Sequence, residues 1–279
     1  MKTPEHHIVC HSGGEASAIC GIEVANKYGP ENVTLINHDM HFTVEDQDIK
    51  RYKQDVADYI GVPITFANYK GQAAVQVDQF DVCVKAKAFK VGDGSELCTS
   101  RLKTEPFRDW LAANAPPGTA TVYYGFDASE QKRITRRVGV MGSMGYRTDF
   151  PLLWEDRTIH ATEEVGIAKP STYSVFKHGN CTGCLKAGWQ HWYVVYCTRE
   201  DIWLKAKWAE DEIGYAIHHD DTGPVYLEDM EPRFAAMKAA GVPATERIQQ
   251  QTWWAQARKI VRIHEAAAAS LPCDCAHAG

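Results

Sequence analysis

Over the first two thirds of the chain, short continuous apolar runs alternate with stretches in which apolar residues return at helical spacing. His7-Ile8-Val9-Cys10 reads as a buried strand, and Ala18, Ile19, Ile22 and Ala25 place one apolar face on a helix from Ala16 to Tyr28. Val33-Thr34-Leu35-Ile36 predicts a second strand. A helix over 44–60 follows, with Ile49, Tyr52, Val56 and Tyr59 on one side and Gly61 as its stop. Residues 63–67 predict a third strand, and 103–114 a helix that breaks at Pro116-Pro117-Gly118. Then come a fourth strand at 119–124, a basic helix at 128–139, a fifth strand at 149–153 and a helix at 155–166. Residues 71–97 hold no clear period and read as an irregular excursion.

This alternation predicts an α/β fold: a doubly wound, mostly parallel sheet with helices on both faces. After about residue 187 the pattern turns helical, near 199–213, 232–240 and 244–269, with no strand expected. The expected domains are 1–187, an α/β part, and 188–279, an α-rich extension ending in a flexible tail that carries Cys273 and Cys275. The six tryptophans from Trp189 to Trp254 read mainly as packing groups.

Composition narrows the function classes. A chain of 279 residues can bury a large core without covalent staples. A net charge of −6 gives no general basic footprint for nucleic acid. No apolar run approaches the roughly 18 residues of a membrane span, and the first residues lack the apolar core of a signal peptide, so the cytoplasm is the expected compartment. Nine cysteines in that setting read as buried small side chains, metal ligands or redox groups rather than structural disulfides.

The chemistry concentrates first in Cys10-His11-Ser12-Gly13-Gly14-Glu15-Ala16-Ser17, between the first strand and the first helix. A glycine turn there lets the backbone approach a ligand, and the helix start offers unpaired N–H groups and partial positive charge. Ser12 and Ser17 add hydroxyls. Cys181 and Cys184 form a CxxC, a spacing that suits zinc, an iron–sulfur cluster, a redox pair or simply two buried thiols. The basic helix 128–139 presents Lys132, Arg133 and Arg136, either to solvent or to an anion.

Several of these stretches, in order, resemble the pyrophosphate-loop superfamily of adenine nucleotide α-hydrolases, in particular its phosphoadenosine phosphosulfate reductase-like branch. The octapeptide resembles that family's SGGxDS loop, with Ala16 in place of Asp. Residues 36–42 resemble the end of its second strand, with Asn37, His38 and Asp39 replacing DTG. CTSRLKTEPF, from Cys98, resembles CCxxxKxxPL with Thr99 for the second cysteine. GFDASEQKR, from Gly125, resembles GxRxxExxR, keeping Glu130 and Arg133. FPLLW at 150–154 resembles YPLxxW, and Cys181–Cys184 resembles GCxxC. The altered positions also suit a non-catalytic nucleotide-binding accessory protein, such as those that accompany mobile elements and CRISPR loci.

The resemblance implies an ATP α-hydrolase that yields AMP and pyrophosphate and adenylylates a substrate, for sulfur transfer among other uses. It also implies sulfonucleotide reduction as a second activity class. On that basis Ser12, Gly13, Gly14, Glu15, Ala16, Ser17, Asn37, His38, Asp39, Gly125, Glu130 and Arg133 are expected around ATP or AMP. Ser12, Ser17, Arg133 and Cys275 are the expected catalytic groups. Arg101 and Lys103 are further anion contacts, and Mg2+ accompanies the nucleotide, with Glu130 a candidate ligand. Cys98, Cys181 and Cys184 are the expected ligands of a [4Fe–4S] cluster, zinc being the alternative and cluster loss the other. His191 and Cys197 are substitute ligands. The second substrate is open, nucleic acid included, as is a homodimer; no membrane partner is expected.

Overall fold

The computed structural model describes residues 6–68, 77–179 and 181–270. The chain divides into two compact units, Met1–Tyr173 with His178–Cys184, and Ser174–Lys177 with Leu185–Gly279.

The first unit is built on five parallel strands, β1 (His6–Cys10), β2 (Val33–Asn37), β3 (Ile64–Phe66), β4 (Ala120–Tyr123) and β5 (Arg147–Asp149), in the order β3-β2-β1-β4-β5. Ile8 is in register with Thr34 on one side and Val122 on the other, which makes β1 the central strand. Strand alternation sorts the side chains onto two faces. Val9, Leu35 and Tyr123 join a core with α1 (Glu15–Tyr28) and α2 (Gln47–Ile60). Ile8, Ile36 and Val122 join a second core with α5 (Glu105–Asn114) and α6 (Gln131–Ser143). This is a doubly wound α/β fold.

Local chemistry sets the element ends and explains where the observed elements differ from the expected ones. Helix α2 starts at Gln47 rather than 44, because the Asp46 carboxylate accepts the Asp48 N–H and caps it. Tyr59, expected on its apolar face, is exposed. The expected excursion holds a helix, α3 (Gln79–Ala86), started by a reciprocal cap between Asp78 and Asp81; residues 69–76 lie outside the described residues. Before α5, the chain is already helical through α4 (Leu97–Thr99) and a wide π-type turn, Ser100–Thr104. The fifth strand ends at Asp149 instead of running to 153. Pro151 has no N–H to give a ladder, and Pro151–Leu153 turns as 3-10 helix. The helix expected at 155–166 is one short turn, Thr162–Val165. The buried Glu23 carboxylate accepts the N–H groups of Thr158 and Ile159, which takes both donors away from a helical ladder.

The second unit holds α7 (Trp189–Thr198), α8 (Glu200–Ile213), α9 (Leu227–Ala239) and α10 (Gln250–Ser270). It also holds a hairpin that the sequence reading did not expect, β6 (His218–Asp220) paired with β7 (Gly223–Val225). Asp220 accepts the N–H and hydroxyl of Thr222, and Gly223 adopts a φ of +131°, which together close the turn. Trp192, Trp203 and Trp253 are buried among Tyr193 and Phe234, so these three indoles are core. Among the described residues no helix is long and apolar enough to cross a membrane.

Candidate functional site

Connections from β1 lead to one side of the sheet, through β2 and β3, and the chain then returns to place β4 on the other side of β1. The loops leaving β1 and β4 therefore border the crevice where strand order reverses, the usual ligand position in such sheets. Gly125, just after β4, lies against the start of α1. A Cβ at Gly125 would fall 2.3 Å from the Ala16 carbonyl oxygen, so only glycine permits this approach.

The loop after β1 is tied to itself. Ser12 donates from its N–H and its hydroxyl to Ser17 Oγ at 3.1 and 3.2 Å, and the Ser17 hydroxyl donates to the Gly14 carbonyl at 2.8 Å. Ser17 is buried and holds the turn, while Ser12 is exposed. Gly13 takes a φ of +86°. Gly14 is the N-cap of α1 and offers no side-chain cap, so the first-turn donors need other partners. The Tyr173 hydroxyl accepts the Glu15 N–H at 3.1 Å, whereas the N–H groups of Gly13, Gly14 and Ala16 have no partner among the described residues. Glu15 itself is paired with Lys169 at 2.9 Å, which offsets its repulsion of an anion. Gly179 approaches the Gly13 carbonyl so closely that a Cβ would lie 2.9 Å from it.

Under this loop lies a charged lattice that the sequence reading missed. Lys53 is 2% exposed and donates to Glu45 Oε2 at 2.7 Å and to Asn37 Oδ1 at 3.1 Å. The Asn37 amide in turn donates to the His11 carbonyl, and the Lys53 stem packs against Gly13. Lys50 bonds Asp39 and donates to the Met40 carbonyl. Burial depresses the Lys53 pKa and Glu45 opposes the shift. Burial also holds His11 down at about 4. Lys53 and Glu45 lie eight residues apart around the start of α2, and Lys53 falls on α2's apolar face, four residues after Ile49 and three before Val56, so the period marked the position even though the residue type did not.

The expected nucleotide contacts divide accordingly. Asn37 faces inward and braces the loop; Asp39 is half-buried and bonded to Lys50. His38 is half-buried beside Lys103, and its pKa is lowered to about 4 by burial first and by the Lys103 charge second. On α6, Arg133 bonds Glu130 and stacks on Phe126 at 4.2 Å, while Arg137 stacks on Tyr124 at 4.9 Å. Glu130 also accepts the Asp127 N–H, so its carboxylate is engaged twice. Lys132 and Arg136 are exposed, and Arg101 pairs with Glu105.

The three expected thiols share one electrostatic neighbourhood. Lys103 feels Cys181 most, then Cys184 and Cys98, and its pKa is raised by them. Burial pushes Cys98 up to about 11 and Cys181 upward too, against the pull of Lys103. Thr99 hydrogen-bonds Cys98 with its hydroxyl, at the position where the resembled motif has a second cysteine. A fourth thiol, Cys83, was not anticipated: it sits beside Cys98, accepts a backbone hydrogen bond from it, and is raised to about 12 by burial. One turn earlier on α3, Gln79 donates to the carbonyls of Thr182 and Gly183 at 2.9 and 3.2 Å and so holds the CxxC turn. The signal for both was the i, i+4 spacing of Gln79 and Cys83 after the Asp78 cap.

His191 and Cys197 belong to the second unit. His191 Nδ1 lies 2.8 Å from Glu246, and Cys197 hydrogen-bonds Tyr193, so both side chains are already engaged there. Cys275 lies outside the described residues. Among the described residues no group of three or more His, Cys, Asp or Glu side chains is placed to hold a metal ion. No known protein family and no curated protein matches the chain.

Proposed function

We propose that this chain binds ATP with its phosphates on the Ser12–Ser17 loop and cleaves it between the α and β phosphates. The observation that carries the reading is the set of unpartnered N–H groups at Gly13, Gly14 and Ala16, at the start of a helix on the central strand's carboxyl end. Such donors favour charge that builds on phosphate oxygens as the bond to the leaving group opens. An acceptor oxygen on the second substrate attacks the α phosphorus, the bond to the bridging oxygen breaks, and pyrophosphate leaves. The acceptor's proton goes to solvent, and AMP remains joined to the acceptor.

Mg2+ would arrive on the nucleotide and neutralise its phosphates. The carboxylates nearest the loop, Glu15, Asp39 and Glu45, are each paired with a lysine, so none stands reserved for the ion. At the thiols, Zn2+ and a [4Fe–4S]2+ core would each be net negative once three thiolates bind, so the Lys103 ammonium suits either and does not choose between them. Cys98, Cys181 and Cys184 would be the residues to hold a cluster, which would supply electrons or a bound sulfur, but among the described residues they do not stand together as a three-ligand group.

Sulfonucleotide reduction is the second reading, favoured by the thiols gathered at Lys103. There, a thiolate at Cys275 attacks the sulfur of an adenylyl sulfate, the S–O bond breaks and the nucleotide leaves. The loop's role is tested by calorimetric titration of ATP and AMP into the parent and Ser12→Ala and Gly14→Val variants. Weakened ATP binding in the variants supports it; unchanged ATP affinity refutes it.

A further inference from the structure

Two surfaces of the second unit are each apolar at the centre and carry opposite charge at the rim. The first is a cavity of about 400 Å³ between α9 and α10. Its floor is apolar, with Met237 and Ala257 buried beneath it and Val261 beside them. Its rim is basic, formed by Arg233, Arg258 and Arg262 against the single carboxylate of Glu265. Arg233 stacks on Trp254 at 4.7 Å, and among the described residues none of the three arginines has an ion-pair partner. Three cations stay gathered here in a chain whose net charge is −6.

The second surface is the solvent side of α8. Leu204 and Trp208 are 54% and 42% exposed, and Tyr215 just past the helix end is 51% exposed. Residues 204, 208, 211 and 215 follow one face at helical spacing. Acids flank them: α8 carries Glu200, Asp201, Glu210, Asp211 and Glu212 against only Lys205 and Lys207, and Glu210 alone of the five faces inward. Lys207 is moreover neutralised by Glu231 at 2.6 Å. An apolar helix stripe rimmed by acids is the complement of an apolar groove rimmed by arginines.

We propose that α8 of one copy of this chain seats in the α9–α10 groove of a second copy, and that the pair does so reciprocally. Trp208 and Leu204 enter over Met237, Ala257 and Val261, and Asp211 and Glu212 meet the arginine rim. One three-turn helix face covers less than the roughly 1,200–2,000 Å² of a stable interface. Two such contacts around a two-fold axis reach that range, and they leave no unfilled copy of either surface.

The test uses the full chain and sedimentation equilibrium across a concentration series. The parent is expected to dimerise, and the dimer to weaken at least tenfold as salt rises from 0.05 to 0.5 M on the order expected for exposed ion pairs. Trp208→Ala and the pair Arg258→Glu with Arg262→Glu are each expected to be monomeric; both change exposed groups, and unchanged near-ultraviolet circular dichroism confirms folding. Adding Asp211→Arg and Glu212→Arg to the Arg258→Glu, Arg262→Glu chain must restore association, because both reciprocal contacts are then complementary again with their charges exchanged. A monomeric parent overturns the proposal and leaves the groove to another partner. Dimers unaffected by either change, or a charge-exchanged chain that stays monomeric, overturn it equally.

Discussion

Lys53 donates to Glu45 at 2.7 Å with 2% and 6% of the two side chains exposed. The Lys53 stem lies directly against Gly13, so an ammonium hidden from solvent fixes the floor of that loop. A buried pair of this kind gives little net stability, but removing one partner leaves an uncompensated charge. Lys53→Met is therefore expected to destabilise the first unit by about 3–5 kcal/mol. Adding Glu45→Gln should recover part of that loss, since in the single variant the buried carboxylate keeps only the more distant Lys50, 3.6 Å away. Urea unfolding of the single and double variants measures both; equal destabilisation in the two would show that the charge is not the cause.

Two glycines make a contrasting pair. Gly125→Ala forces a Cβ onto the Ala16 carbonyl, and is expected to cost about 1–3 kcal/mol and to weaken ATP binding by displacing the start of α1. Gly139 lies inside α6 with open space around it. Gly139→Ala should stabilise by about 0.5–1 kcal/mol and leave ATP affinity unchanged. Thermal unfolding and calorimetry of both variants check this; loss of ATP binding in Gly139→Ala would mean that α6 itself contacts the ligand.

The two units should answer oppositely to pH. His11 is held at about 4 by burial, below its ordinary 6.5. Between those values the unfolded chain binds a proton that the folded one refuses, so first-unit stability falls as pH drops from 6.5 towards 4, by up to about 3 kcal/mol for this group. His38 adds to the same trend. Glu210 is raised from 4.5 to about 7 by burial, although it accepts the N–H groups of Ile217 and Leu227. There the folded chain holds the extra proton, and second-unit stability falls as pH rises from 4.5 to 7. Hydrogen exchange at pH 4.5 and pH 7 resolves the units; parallel rather than opposite changes would contradict this.

The thiols are expected to be protonated and slow at neutral pH, because burial raises Cys98 and Cys181. Lys103→Met removes the cation that opposes burial, and should slow alkylation of both by iodoacetamide at pH 8.5 by about tenfold or more. Peptide mapping by mass spectrometry reads each cysteine. Unchanged rates would separate Lys103 from the thiols.

What the sequence made legible was what periodicity encodes. The apolar runs at 7–10, 33–36 and 119–124 marked the three inner strands, and Ser12-Gly13-Gly14 marked the turn at the switch point. Periodicity put position 53 on the apolar face between Ile49 and Val56, but a lysine there reads as solvent-facing unless its carboxylate partner is known, so the residue type hid what the spacing offered. Glu23 defeated the 155–166 helix in the same way, by capturing backbone donors from 135 residues away. The β6–β7 hairpin escaped because three-residue strands are too short for an alternation to register. Asp78 and Asp81 carry a cap signal at 78–81, but the α3 that it starts is only Gln79–Ala86, too short for an apolar period to reveal Gln79 and Cys83.

Incubation of the full chain with ATP and Mg2+, with products resolved by ion-exchange chromatography, tests the central claim most directly. With no second substrate present, water takes the acceptor's place, so AMP and pyrophosphate in equal amounts are predicted, with neither formed by Ser12→Ala. ADP and phosphate as products, or intact ATP at stoichiometric protein with no nucleotide bound, would contradict it.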